Sequence, residues 1–262
     1  MEKEKQAMIS IHDVTVRYDG QKGETLAIDQ VNLNIYKGDF IVLLGPSGCG
    51  KSTLLNLVAG YHQASQGDVL MYGKEISGPN KNRGVVFQST NLYPWLSVRQ
   101  NIEYGLNIAK IDKPLRTQKS DEYLKAINLE NYANHYPFEL SGGMQQRVAL
   151  ARTLINEPEI LLMDEPFGAL DAMTRVNMQS LLRKLWNNGK QTFFLITHDI
   201  DEALLLGSRV LVMSKNPGTI VEEFKLDFHQ KALMDKNYNS LLDEEFVDVK
   251  NRILQIIANE SL

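Results

Sequence analysis

"FIVLLGPSGCGKST", residues 40–53, decides the fold. Its first five residues are an unbroken apolar run, the pattern of a strand buried on both faces. The run gives way at Gly45 to a glycine-rich loop, and the loop to "TLLNLVAG", a helix-like segment. Strand, Gly, four residues, Gly-Lys-Ser and helix, in that order, make a phosphate loop in its required context. The glycines let the backbone close around phosphate oxygens. The N–H groups of Gly48, Cys49, Gly50 and Lys51 are expected to point inward, at a helix N-terminus that favours negative charge. Gly45, Pro46, Ser47 and Thr53 complete the cradle. The Lys51 ammonium is expected at the outer phosphates and the Ser52 hydroxyl on Mg²⁺. Cys49 reads as a small residue in a tight loop, without chemistry of its own.

Three further short apolar runs stand downstream: "VVF" (85–87), "ILLM" (160–163) and "TFFLI" (192–196). Each ends in polar residues: Gln88 after the first, Asp164 and Glu165 after the second, Thr197, His198 and Asp199 after the third. In open α/β sheets ligands bind beyond the carboxyl ends of the strands, so these residues are expected to gather at one crevice. Asp164 would order a hydrated Mg²⁺, and Glu165 would take a proton from the attacking water. His198 would touch the γ-phosphate, and Gln88 would sense Mg²⁺ or the attacking water. Plainer roles stand beside these: solvated strand-end acids, a structural histidine, a polar loop residue. Tyr18 either covers adenine by ring stacking or packs the β-region.

Residues 9–18, 31–36 and 68–74 alternate with period two and read as antiparallel strands. From Gln88 to Leu140 strand runs vanish and helical patterns take over at 98–110 and 115–129, a helical insertion. Met144, Val148, Ala151 and Ile155 recur at helical spacing, so a helix should follow Gly143. The tail beyond 222 is polar, with a last helix expected at 246–257. The chain of 262 residues carries a net charge of -4, no basic excess of the kind that binds nucleic acid. Its N-terminus has no signal-like apolar core. No run of about 18 apolar residues exists to span a bilayer. The single Cys49 fits a reducing compartment.

"LSGGMQQR" (140–147) settles which phosphate-loop protein this is. It resembles the signature loop of the ATP-binding-cassette (ABC) family. The rest of that family's order is also present: Tyr18, "GPSGCGKST", "FQ" (87–88), "ILLMDEP", "GALD" (168–171) and His198. The resemblance implies a P-loop NTPase fold, α/β, with a RecA-like core, an antiparallel β-subdomain and an α-helical subdomain. One ABC ATPase domain would span 1–262: core 1–88 and 153–222, helical subdomain 89–152, C-terminal extension 223–262. ATP and Mg²⁺ follow as ligands. In this family two copies stack head to tail, so Ser141, Gly142 and Gly143 would bind the γ-phosphate of ATP held by the second copy. Asp171 would contact the partner across the homodimer interface.

A free-standing single cassette resembles an importer subunit, bound at the cytoplasmic face of the membrane to multi-span permease subunits and served by a solute-binding protein. "LITHDIDEALLLGSRVLVMSKNPGTI" and "LYPWLSVRQNI" are similar to the nitrate/sulfonate/taurine group, and the "NPGTI" hairpin and "KLDF" tail to taurine-import ATPases. Other aliphatic sulfonates, nitrate and pyrimidine thiamine precursors stay open, as does a soluble ABC ATPase without a transport role. A kinase or GTPase is disfavoured by "LSGGMQQR". The apolar cluster at 92–96 reads equally as internal packing and as a groove for a short permease helix.

Overall fold

The computed structural model describes residues 6–20, 23–188, 191–234, 240 and 243–260. The chain forms two compact units, one from Met1–Asn80 with Thr192–Leu262 and one from Lys81–Gln191.

The first unit opens with β1 (Ile9–Gly20) and β2 (Gly23–Ile35), a long antiparallel ladder. Along β2 the buried residues Val31, Leu33 and Ile35 alternate with exposed ones, as period two requires for a half-covered sheet. β3 (Phe40–Leu44) follows, then α1 (Lys51–Ala59), β4 (Gln66–Met71) and the short β5 (Lys74–Glu75). β4 pairs antiparallel with the free side of β1 and with β5, so these four strands form one sheet in the order β2-β1-β4-β5.

The second unit holds β6 (Arg83–Val86), α2 (Val98–Ile108), α3 (Lys113–Ala126), α4 (Gly142–Leu154), β7 (Ile160–Asp164) and α5 (Ala172–Asn187). β6 and β7 pair in parallel. The helical insertion is present, with ends shifted by local chemistry. Ser97 starts α2 through a reciprocal capping box with Gln100, and a proline opens α3. Unlike β3, β6 is only half-buried along most of its length, and it stops before Phe87.

The chain then returns to the first unit as β8 (Thr192–Ile196), α6 (Ile200–Leu206), β9 (Arg209–Met213), β10 (Ile220–Lys225), α7 (Phe228–Met234) and α8 (Glu244–Asn259). β3 lies between β8 and β9, parallel to both. β9 is a further buried parallel strand that the apolar runs did not single out. Its residues follow the apolar helix α6 after only Gly207 and Ser208, so periodicity alone does not divide strand from helix. The expected "NPGTI" hairpin joins β9 to antiparallel β10, with the Ser214 hydroxyl bonded to Pro217 and Thr219 inside it.

Described parts of the tail beyond 222 pack within the first unit. Phe228 and Phe246 are buried edge to face at 5.2 Å, and Lys250 of α8 pairs with Asp201 of α6 at 2.7 Å. Arg209 cross-links four segments: it donates to the Asn34 carbonyl, Asp39 and Glu223 and lies over the Tyr36 ring.

Phe40 and Phe193 occupy paired positions on β3 and β8, both with no solvent exposure, and their rings stack at 5.0 Å. Phe193→Ala is expected to destabilise the protein by about 3–5 kcal/mol through lost burial and the cavity left behind. The urea unfolding midpoint, compared at unchanged m-value, checks this.

Candidate functional site

β3 delivers the loop 45–50 from a strand with no exposure at all. α1 starts at Lys51 behind an N-cap glycine, Gly50, in the left-handed region, with no side chain capping its first turn. The helix thus presents unsatisfied N–H groups to anything negative placed on the loop. Ser47, Gly48 and Ser52 are exposed, Pro46 and Thr53 half-buried, Gly45 and Cys49 buried.

Lys51 is 8 % exposed, and its ammonium donates to the Gly45 and Pro46 carbonyls, both at 2.8 Å. It braces the loop from inside. The Cys49 N–H donates to the Pro46 carbonyl at 3.4 Å.

Tyr18, at the end of β1, donates its hydroxyl to Thr53 Oγ1 at 3.2 Å and meets the His62 ring edge-on at 6.0 Å. At 39 % exposure it keeps an open ring surface beside the start of α1, which suits base stacking. His198, just past β8, is exposed.

Gly218, in the β9–β10 hairpin, is a site residue that sequence reasoning missed. Its N–H donates to the Ala27 carbonyl and its own carbonyl accepts from Asp29, which ties the hairpin to β2. A side chain there would run into the backbone carbonyl of Cys49 and crowd that of Ala27. The hairpin therefore seats directly against the phosphate loop, and the only signal in the chain was a glycine after a proline.

In the second unit, Asp164 ends β7 and Glu165 follows with φ of 46°, a left-handed conformation rare for a residue with a side chain. Such outliers gather where a site over-determines the backbone. The structure joins Glu165 to Gln88 directly: Gln88 Nε2 donates to Glu165 Oε2 at 3.2 Å. The run from Phe167 to Leu170 is a tight turn with both of those side chains buried.

Ser141 and Asp171 both cap helices. Ser141 Oγ accepts from the Met144 N–H at the start of α4, and Asp171 Oδ1 from the Thr174 N–H at the start of α5. Hydrogen bonds from Thr174, side chain first, hold the Asp171 carboxyl below the usual carboxylate range. Gly142 faces open space. A side chain at Gly143 would press on the Ala169 carbonyl and Leu170, so this glycine lets α4 approach the "GALD" turn. α4 and α5 thus start close together, each with its first N–H groups outward.

Among the described residues no three His, Cys, Asp or Glu side chains cluster as a metal cage. Ser52 in the first unit and Gln88 and Asp164 in the second each carry an oxygen donor, the hard chemistry that Mg²⁺ prefers.

Also in the second unit, a cleft of about 440 Å³ is lined by Trp95, Leu96, Arg99, Tyr104, Asn107 and Arg116, among others. Trp95 is 70 % exposed and stands 5.5 Å from Tyr93, whose ring lies 4.5 Å from Tyr104. Within the 92–96 cluster Leu92, Tyr93 and Leu96 are half-buried, while Pro94 and Trp95 remain exposed.

A family model described as "ABC transporter" matches residues 28–168, more than half of the chain. An uncharacterized ABC transporter ATP-binding protein of Methanocaldococcus jannaschii is 42% identical over 97% of this chain and 92% of its own. The taurine import ATP-binding protein TauB of Pelagibacter ubique is 46% identical over 91% of this chain and 90% of its own. Among solved structures, a dimeric ATP-binding cassette bound to ADP and Pi superposes with a TM-score of 0.76 at 36% identity, covering 84% of this chain and 99% of its own.

The contact of Gly218 with the phosphate loop makes a test. Gly218→Ala is expected to weaken ATP binding by a factor of roughly 5–150, the equivalent of the ~1–3 kcal/mol usual for overpacking. Gly78→Ala, where an added Cβ meets nothing within 4 Å, is expected to bind as the parent does. Titration with a fluorescent ATP analogue checks both.

Proposed function

Because the chain belongs to the ABC transporter family, we propose that it is the ATP-hydrolysing subunit of a solute importer, working as a head-to-tail homodimer. The observation that carries this is that one chain holds two distinct anion-ready helix starts. One is the loop around Lys51 leading to α1, and the other is the Ser141 start of α4, set beside the Asp171 start of α5. A single nucleotide needs only one such cradle. Two copies arranged head to tail use both, each Ser141-Gly142-Gly143 turn meeting the γ-phosphate on the other copy's loop. The similar cassette solved as a dimer with ADP and Pi supports the same arrangement.

Within each site, residues 45–53 hold the triphosphate and Tyr18 covers the adenine. Glu165 accepts a proton from the attacking water while the Gln88 amide holds its carboxylate in place. His198 contacts the γ-phosphate. Mg²⁺, held by Ser52, Gln88 and Asp164, would offset charge on the transferred phosphoryl group. Asp171 caps α5 and contacts the partner copy. The core is 1–88 with 153–222, residues 89–152 are the helical subdomain, and 223–262 extend it.

Among the described residues no helix is long and apolar enough to cross a membrane. A separate permease carries the solute path, and the Trp95 cleft is where a short permease helix seats. That open aromatic surface favours a membrane-bound role over a soluble one. Taurine is the favoured solute, because several relatives at 42–46% identity carry that name; a solute-binding protein would deliver it. Taurine is a zwitterion and cannot leave water for a bilayer unaided, so uptake needs such a machine.

Glu165→Gln keeps size and hydrogen bonding but removes the base. Hydrolysis is expected to fall by roughly 10²–10⁴-fold, while Mg-ATP still binds and holds the dimer closed. Size-exclusion chromatography with Mg-ATP reads the dimer, and a variant that hydrolyses normally would remove Glu165 from the mechanism. In cells, deletion of the gene and Lys51→Ala are each expected to abolish high-affinity uptake of labelled taurine. Intact taurine uptake with loss of nitrate or another sulfonate would change the solute and leave the motor in place.

A further inference from the structure

Residues 85–91 run past α4, and α4 side chains hold four of their carbonyl groups. Thr153 Oγ1 donates to the Val85 carbonyl at 3.3 Å and Gln146 Nε2 to that of Phe87 at 3.4 Å. Arg152 Nη2 donates to the Thr90 carbonyl at 3.1 Å, and its Nη1 to that of Asn91 at 2.8 Å. The Thr90 hydroxyl donates to Gln145 Oε1 at 3.2 Å. These α4 side chains, three donors and the acceptor Gln145, fall in pairs seven residues apart, Gln145 and Gln146 near the start of the helix and Arg152 and Thr153 near its end, so they share one face. Further along, buried Asn101 pins the next stretch by donating to the carbonyls of Tyr93, Leu96 and Ser97. Gln88 places its side chain on Glu165, and the path is held on both sides of it by bonds from α4 to the Phe87 and Thr90 carbonyls.

Arg152 stands out in this set. It is half-buried, and among the described residues no carboxylate pairs with it. Its partners are two backbone carbonyls one residue apart and the Tyr93 ring, 5.3 Å from its guanidinium carbon. Asn91 takes φ of 45° in this stretch, where its carbonyl accepts from Arg152. A cation without a counter-charge is costly to desolvate. The planar fork of arginine can still serve two carbonyls and a ring at once, which the point charge of lysine cannot.

We infer that Arg152 is a positioning residue that fixes Gln88, and through it Glu165, to the helix led by Ser141. It acts through the Thr90–Asn91 backbone and touches no substrate. This rests on the proposed ATPase reading and deepens it. Ser141 serves the nucleotide of the other copy, while Gln88 and Glu165 serve the chain's own. With α4 and the 85–91 segment clamped into one body, docking of Ser141 on one nucleotide sets the base that acts on the other. The Tyr93 ring adds the Trp95 cleft to the same body.

The test is a double-mutant cycle in steady-state ATPase assays of the full chain. Arg152→Ala is expected to lower kcat about tenfold, in the range of directly coupled neighbours, with the ATP dissociation constant of the single chain unchanged. In a Gln88→Ala background the same change is expected to cost no further activity, because the group it positions is gone. Arg152→Lys is expected to recover only part of the loss. If Arg152→Ala does not fold, Arg152→Lys carries the cycle, and its smaller loss is likewise expected to vanish beside Gln88→Ala. Two losses that multiply, a kcat equal to the parent's, or a loss of ATP affinity matching the fall in rate would each overturn the role. Glu165→Gln is assayed alongside. If it hydrolyses ATP at the parent rate, the ATPase reading fails. If it is inactive while the Arg152 cycle shows no coupling, only the role of Arg152 falls.

Discussion

The Lys51 ammonium is almost completely buried, and the loop around it exists to make that tolerable. A charge removed from water must be met by strong dipoles at close range. Here the Gly45 and Pro46 carbonyls meet it, which requires the chain to leave β3, turn back on itself and start a helix within six residues. The Cys49 N–H closes the turn onto Pro46, Gly218 closes over the Cys49 carbonyl, and Ala27 and Asp29 hold Gly218. One buried cation thus links β2, β3, α1 and the β9–β10 hairpin. The same geometry leaves the first N–H groups of α1 facing outward, where a polyanion is welcome.

The second unit solves a different problem with backbone carbonyls. Its loop from Gln88 to Ser97 has no strand or helix of its own, so its polar groups need partners from elsewhere. α4 and Asn101 supply them. The result is a loop tied by side-chain hydrogen bonds from the Glu165 contact to the Trp95 cleft.

Several residues have two jobs. Ser141 and Asp171, which the family resemblance gives to a partner's nucleotide and to the interface, each cap a helix in the isolated chain. A cap orders the first turn and aims its N–H groups, so the structural duty prepares the functional one. Glu165 shows the reverse case, a candidate catalytic group held in a strained backbone conformation.

The strands β3, β7 and β8, the alternating sheet, the glycine loop and the helix after Gly143 were legible in the sequence. Each rests on local chemistry: apolar runs, period two, a glycine spacing, a helical repeat. The signature order carried the family for the same reason, since ligand-facing residues must sit at set offsets from strand ends. β9 was not separable by pattern, because its apolar residues follow those of α6 almost without a break. The inward turn of Lys51, the seat of Gly218 on the phosphate loop and the grip of Arg152 on Thr90 and Asn91 could not be read at all. They join residues distant in sequence through backbone carbonyls, and every residue has a carbonyl, so no residue type announces which one will be used. The chain's own order determined where the nucleotide chemistry lies; only the folded structure decided which carbonyls hold it in place.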